Sequence, residues 1–174
     1  GEFPRGRFRA SGLVTLGTGE AAISFSGAGR AMSPTLRAVL PDRLVRALAK
    51  RELSGRLANV TGRLSTSGAG GFELEANLGL RDLSARLGLP MRELTGRLAL
   101  SAERRDHAGW PDVRMDLQAQ RLRFAGRRIA PLRAAVRSTD RPGLLELADL
   151  RGRMHGGVLI GAGGFNARSG GYHL

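Results

Sequence analysis

The sequence predicts a mostly β protein, a curved antiparallel meander sheet forming a taco-like groove or a β-roll, with one amphipathic helix over about residues 34–50. Three observations carry that expectation. After Arg51, apolar and polar residues alternate with a period of two through most of the chain. Turn signals arrive too often for the crossover helices of a parallel sheet. A phrase also repeats: Arg51-Glu52-Leu53-Ser54-Gly55-Arg56-Leu57-Ala58 returns as Arg92-Glu93-Leu94-Thr95-Gly96-Arg97-Leu98-Ala99, with a looser echo at Leu150-Arg151-Gly152-Arg153-Met154. In each copy leucine or glycine takes every second position, which is strand spacing, and near-identity marks one supersecondary unit used more than once.

The first element is a hairpin. Two alternating runs, Phe8 to Leu16 and Ile23 with Phe25, flank the turn signal Gly17-Thr18-Gly19. The pattern changes at Ser33-Pro34, where Leu36, Val39, Leu40, Leu44, Val45 and Leu48 recur at three- and four-residue spacing, the stripe of an amphipathic helix split or kinked at Pro41-Asp42. Beyond it the apolar positions are Phe72, Leu74, Leu78 and Leu80; then Leu94, Leu98 and Leu100; then Val113, Met115 and Leu117; then Leu122 and Phe124; then Leu145 and Leu147; and finally Val158 and Ile160. Each set alternates with polar residues, so these are the candidate lining of one oily face. Turns are expected at Asp106 to Pro111, at Asp140-Arg141-Pro142-Gly143 and at Gly156-Gly157, and glycines inside strand-like runs, Gly55, Gly96, Gly126 and Gly152, permit bulges and sharp curvature.

At 174 residues and 18.5 kDa the chain reads as a single module over residues 1–174. Gly1-Glu2-Phe3 resembles a cloning remnant and the chain stops within a strand-like pattern, so a slice of a longer repetitive β protein is expected. No apolar run approaches the ~18 residues of a membrane-spanning helix. The absence of cysteine excludes disulfides and zinc-thiolate sites. Net charge is +13, and every basic residue but Lys50 is arginine, a bias that a GC-rich genome explains. The surplus still attracts phosphate, whether of nucleic acid or of lipid headgroups.

Searches for chemistry return little. His107, His155 and His173 have no partners at metal-ligand spacing, so no metal or other cofactor is expected. There is no Gly-x-Ser-x-Gly elbow, and the carboxylates Glu73, Glu75, Asp112, Asp116 and Glu146 fall on polar strand faces opposite plausible arginines, a charge-pairing pattern; no catalytic residue and no enzymatic activity are expected. Gly17-x-Gly19-x-x-Ala22 matches a dinucleotide fingerprint only superficially, because Ile23 to Ser26 alternates like a strand where a helix is required. Arg121, Arg123, Arg127, Arg128 and Arg133 lack the interleaved aromatics of a base-stacking surface, which disfavours nucleic acid as a partner.

The Leu-x-Gly-x-Leu phrases, Leu40-Pro41 ahead of the amphipathic stretch, and the run Leu145-Glu146-Leu147-x-x-Leu150-x-Gly152-x-Met154-x-Gly156-Gly157-Val158-x-Ile160 together resemble the AsmA-like and TamB-type periplasmic proteins of the bridge-like lipid-transfer superfamily. The resemblance spans about residues 34–174 and is one of pattern. It implies a periplasmic protein of a Gram-negative bacterium, anchored in the inner membrane, that shields phospholipid acyl chains in an apolar β-groove between inner and outer membranes. Phospholipid or another acyl lipid would be its main partner, with membrane or envelope proteins beside it. The residues alone also allow a basic β-repeat scaffold or adhesion module with a sealed core, binding proteins or polyanions through its arginine face.

Overall fold

The computed structural model describes residues 7–30, 52–68, 70–87, 89–105, 109–166 and 172–173. The helix expected over residues 34–50 lies outside them. The elements in chain order are β1 (Arg7–Thr15), β2 (Glu20–Arg30), β3 (Ser54–Thr66), β4 (Phe72–Leu87), β5 (Leu89–Arg104), β6 (Asp112–Phe124), β7 (Arg127–Ile129), β8 (Leu132–Ser138), β9 (Leu144–Met154), β10 (Gly157–Asn166) and β11 (Tyr172–His173). They form one antiparallel sheet in the order β1-β2-β3-β4-β5-β6-β8-β9-β10-β11, with β7 paired to β6 off that path. The sheet is an open meander and does not close into a barrel.

Short turns set this order. Gly19 N–H donates to the Thr15 carbonyl at 3.0 Å and closes the β1–β2 hairpin, as the glycine signal there predicts. The pairs Ala125-Gly126 (φ 48 and 80°) and His155-Gly156 (φ 50 and 79°) are consecutive left-handed residues, the combination that two-residue type I′ turns use to match strand twist. They place Phe124 opposite Arg127 and Met154 opposite Gly157. Gly126 therefore sits in a turn and not within a strand, a correction to the sequence reading. A bend at Ala130-Pro131 separates β7 from β8, and β9 follows it: Ala130 N–H donates to the Arg153 carbonyl and Arg153 N–H to the Pro131 carbonyl, at 3.0 and 3.1 Å.

Bulges gather towards one end of the sheet, with further register shifts between Ala135 and Val136 on β8 and between Gly161 and Gly163 on β10. The register shifts between Leu57 and Asn59 on β3, between Leu80 and Leu83 on β4, and between Arg92 and Thr95 on β5. An extra residue on one strand of a pair exchanges the faces beyond it. On β6 the extra residue is Gln120, since Thr95 pairs with Arg121 and Gly96 with Ala119, so its apolar face is built by Val113, Met115, Leu117 and Ala119 and then, one step out of phase, by Leu122 and Phe124.

Burial follows the bulges. Leu94 and Ala119 are 3% exposed, and Leu122, Ile129 and Leu132 are 5% exposed. Among the described residues no second layer covers this sheet. A flat sheet would leave those leucines bare, so the sheet bends towards its apolar face at the bulged end. Gly96 allows the close approach: a Cβ there would lie 2.1 Å from the Gln118 carbonyl oxygen and 2.8 Å from the Ala119 Cα.

Gly96→Ala is expected to cost about 2–3 kcal/mol in denaturant unfolding, through forced separation of β5 and β6. Gly17→Ala, whose Cβ would meet nothing within 4 Å, should stay within about 0.5 kcal/mol of wild type. Equal effects would show that Gly96 holds no tight contact.

Candidate functional site

The register assembles the apolar residues into rows that run across the strands. One row runs Phe8, Gly27, Val60, Leu78, Leu98, Leu117, Ala134, Leu150 and Gly161, from β1 to β10. A second runs Ile23, Leu64, Leu74, Ala102 and Val113. The face they make is continuous because every strand presents its apolar phase to the same side.

Most of the sequence-derived candidates fall on this face. Leu80, Leu94 and Leu122 belong to the buried cluster at the bulged end, and Leu78, Leu98, Leu117 and Phe124 pack against it, half-buried. Phe72, Leu74, Leu100, Val113, Met115, Leu145 and Leu147 are half-buried as well and continue the face along the strands. Several contributors were absent from the candidate set: Leu57, Val60, Leu83, Ile129, Leu132, Leu150 and Leu159 all belong to the cluster or pack on it. Leu57 stands inside the repeat, and Leu83 inside a further copy of it, so the signal existed.

Val158 and Ile160 are the exceptions. They lie opposite Arg153 and Arg151, on the charged face, and are 73% and 74% exposed. The neighbour between them, Leu159, is opposite Gly152 and packs on the cluster. The cause is the phase handed over by β9: a two-residue turn pairs its even residues, Leu150, Gly152 and Met154, with the odd residues of β10, so Leu159 takes the apolar side and Val158 and Ile160 the other.

The opposite face carries the charges. The repeat has a copy that the sequence reading missed, Arg81-Asp82-Leu83-Ser84-Ala85-Arg86-Leu87, and the acidic residue of each copy is left-handed: Glu52, Asp82 and Glu93 have φ of 51, 49 and 57°. Their carboxylates reach arginines on other strands, Glu52 to Arg86 at 3.3 Å, Asp82 to Arg121 at 2.7 Å and Glu93 to Arg123 at 3.3 Å. Asp82 also donates its N–H to Thr95 Oγ1 at 3.2 Å. The phrase therefore encodes a bulge at which an acid turns outward to meet an arginine. These pairs are well exposed and each contributes no more than about 1 kcal/mol. Of the carboxylates expected to pair across strands, Glu75 faces Arg63 and Glu146 faces Arg137, while Glu73 stands between Ser65 and Glu103 and Asp116 between Ala99 and Ala135.

One charged side chain has the apolar phase. Arg104 is opposite Phe72, its guanidinium 5.1 Å from that ring's centroid and its Nη2 donating to the Gly70 carbonyl at 3.0 Å. His155 occupies the β9–β10 turn, His173 lies in β11, and His107 is outside the described residues. Among the described residues no three His, Asp or Glu side chains group together as metal ligands would.

No protein-family model matches this chain, and neither a curated protein nor a solved structure matches it. The class is thus defined by architecture alone: an open antiparallel sheet, a single layer among the described residues, with one apolar and one charged face.

The facing of β10 has a direct check. Leu159→Asp should lower stability by at least about 2 kcal/mol, whereas Val158→Asp should change it by less than about 0.5 kcal/mol. The reverse order in thermal or denaturant unfolding would restore the facing expected from sequence.

Proposed function

We propose that this chain is a non-enzymatic module whose bent apolar face forms a taco-like groove shielding lipid acyl chains. The observation that carries the reading is an apolar surface continuous across the strands with no second layer over it among the described residues. Contiguous apolar surface of that extent, rimmed by polar residues, is what partner or lipid sites offer. Each methylene taken out of water is worth about 0.8 kcal/mol, so a sixteen-carbon chain held against leucine, valine and methionine gains on the order of 12 kcal/mol of shielding. Only non-specific contact is needed for that, which accords with a lining that is almost wholly aliphatic.

The resemblance to AsmA-like proteins supplies the setting of this proposal: a periplasmic, inner-membrane-anchored protein moving phospholipid between inner and outer membranes. Against it stands the sealed-core scaffold, and the tightly buried cluster around Leu94 and Leu122 favours that alternative at the bulged end. The half-buried stretch from Leu100 and Met115 to Leu145 favours an open face at the other end.

Protein purified without detergent should carry phospholipid or fatty acid detectable by mass spectrometry after extraction. Leu117→Asp should reduce that load at least about fivefold, with the fold verified by circular dichroism, whereas Arg97→Ala on the charged face should not. Lipid-free protein in repeated preparations would remove the groove and leave the scaffold.

A further inference from the structure

The charged face is not evenly mixed. Towards the bulged end the register sets arginine directly against arginine: Arg56 opposite Arg81, Arg92 opposite Arg123, Arg123 opposite Arg128, and Arg133 opposite Arg151. Towards the other end acids adjoin, Glu73 opposite Glu103 and Glu103 opposite Asp112, and the arginine pair there, Arg114 opposite Arg137, has acids beside it, Asp112 at 3.4 Å from Arg114 and Glu146 opposite Arg137. Like charges directly across a ladder destabilise a sheet. Both signs were at hand to interleave, so folding does not explain this segregation. Asp82, Glu93 and Asp149 offset part of the basic band through Arg121, Arg123 and Arg151. Among the described residues Arg81, Arg92, Arg128 and Arg133 have no carboxylate partner.

A second observation selects the kind of anion. The band ends at β10, where Val158 and Ile160 stand 73% and 74% exposed between the arginines they oppose, Arg153 and Arg151. Beside them a hollow is lined by Arg128, Arg153 and His155. Exposed aliphatic side chains set among arginines suit a surface with phosphate outside and hydrocarbon beneath it; they contribute nothing to a nucleic-acid backbone, and among the described residues stacking aromatics are missing from this face.

We infer that the arginine band and the Val158–Ile160 edge form a docking surface for an anionic phospholipid bilayer, the arginines meeting headgroup phosphates and the two aliphatic side chains entering the interface. The surface lies on the opposite side of the sheet from the proposed acyl-chain groove and is independent of that reading. It seats the bulged end of the module on the membrane.

The test is co-sedimentation of the whole chain with vesicles of phosphatidylcholine containing about one-third phosphatidylglycerol, against phosphatidylcholine alone, with salt varied. Binding should need the anionic lipid and weaken as salt rises. Arg128→Glu/Arg133→Glu should weaken it at least tenfold, while Arg63→Glu/Arg137→Glu, with the same change in net charge but outside the band, should stay within about threefold. Val158→Ser/Ile160→Ser should weaken vesicle binding and leave any binding to a double-stranded oligonucleotide unchanged. Equal losses for both arginine pairs would reduce the effect to net charge and overturn the site. Tighter binding of the oligonucleotide than of vesicles at equal phosphate would overturn the bilayer in favour of nucleic acid. Lipid load measured on the same variants separates the two proposals, because the band variants should retain bound acyl chains even as they lose vesicles.

Discussion

Side chains alternate across a strand, so every residue inserted into one strand of a pair exchanges the faces of everything beyond it. The whole architecture rests on keeping that phase. The sheet has no second layer among the described residues, so its apolar side must stay apolar over every strand from β1 to β10. The bulges after Leu57, Leu80 and Arg92 would scramble the faces if the sequence did not shift with them. It does: Leu80 gives way to Leu83, and Ala119 to Leu122, each three positions on.

Much of this was legible because period-two alternation is a strong signal where strands are long and one face is oily. The hairpin, the meander and most of the lining residues of β4, β5, β6 and β9 follow from it. What sequence could not supply was the position of turns to within one residue. At the β9–β10 hairpin a histidine takes a left-handed conformation that glycine usually fills, which moves the turn one residue ahead of Gly156-Gly157, and the unbroken apolar run Val158-Leu159-Ile160 carries no phase of its own, so only the pairing of Gly152 with Leu159 assigns its faces. The further copy of the repeat was hidden for another reason. Asp82 and Ala85 replace Glu and Gly, and the copy stands near the end of a strand running opposite to the other two.

The repeat itself acquires a physical meaning. Left-handed Glu52, Asp82 and Glu93 each occupy a backbone conformation that costs a side-chain-bearing residue free energy, and each directs a carboxylate to an arginine on another strand. The pairs are too exposed to stabilise the sheet by much, but they neutralise charge where the sheet bends most and arginines crowd. Bending, bulging and charge placement are thus carried by one short phrase.

Pairing between sequence neighbours has a kinetic side. Apart from the detour through β7, every strand meets the one before it and the one after it in the chain, so its long-range pairings run between consecutive strands and need no distant crossover. Loop-closure entropy is then paid in small instalments, which places its expected folding rate above that of Greek-key sandwiches of similar size. Each hairpin gives the next a template, and assembly can proceed like a zipper behind the ribosome, strand by strand as the polypeptide emerges.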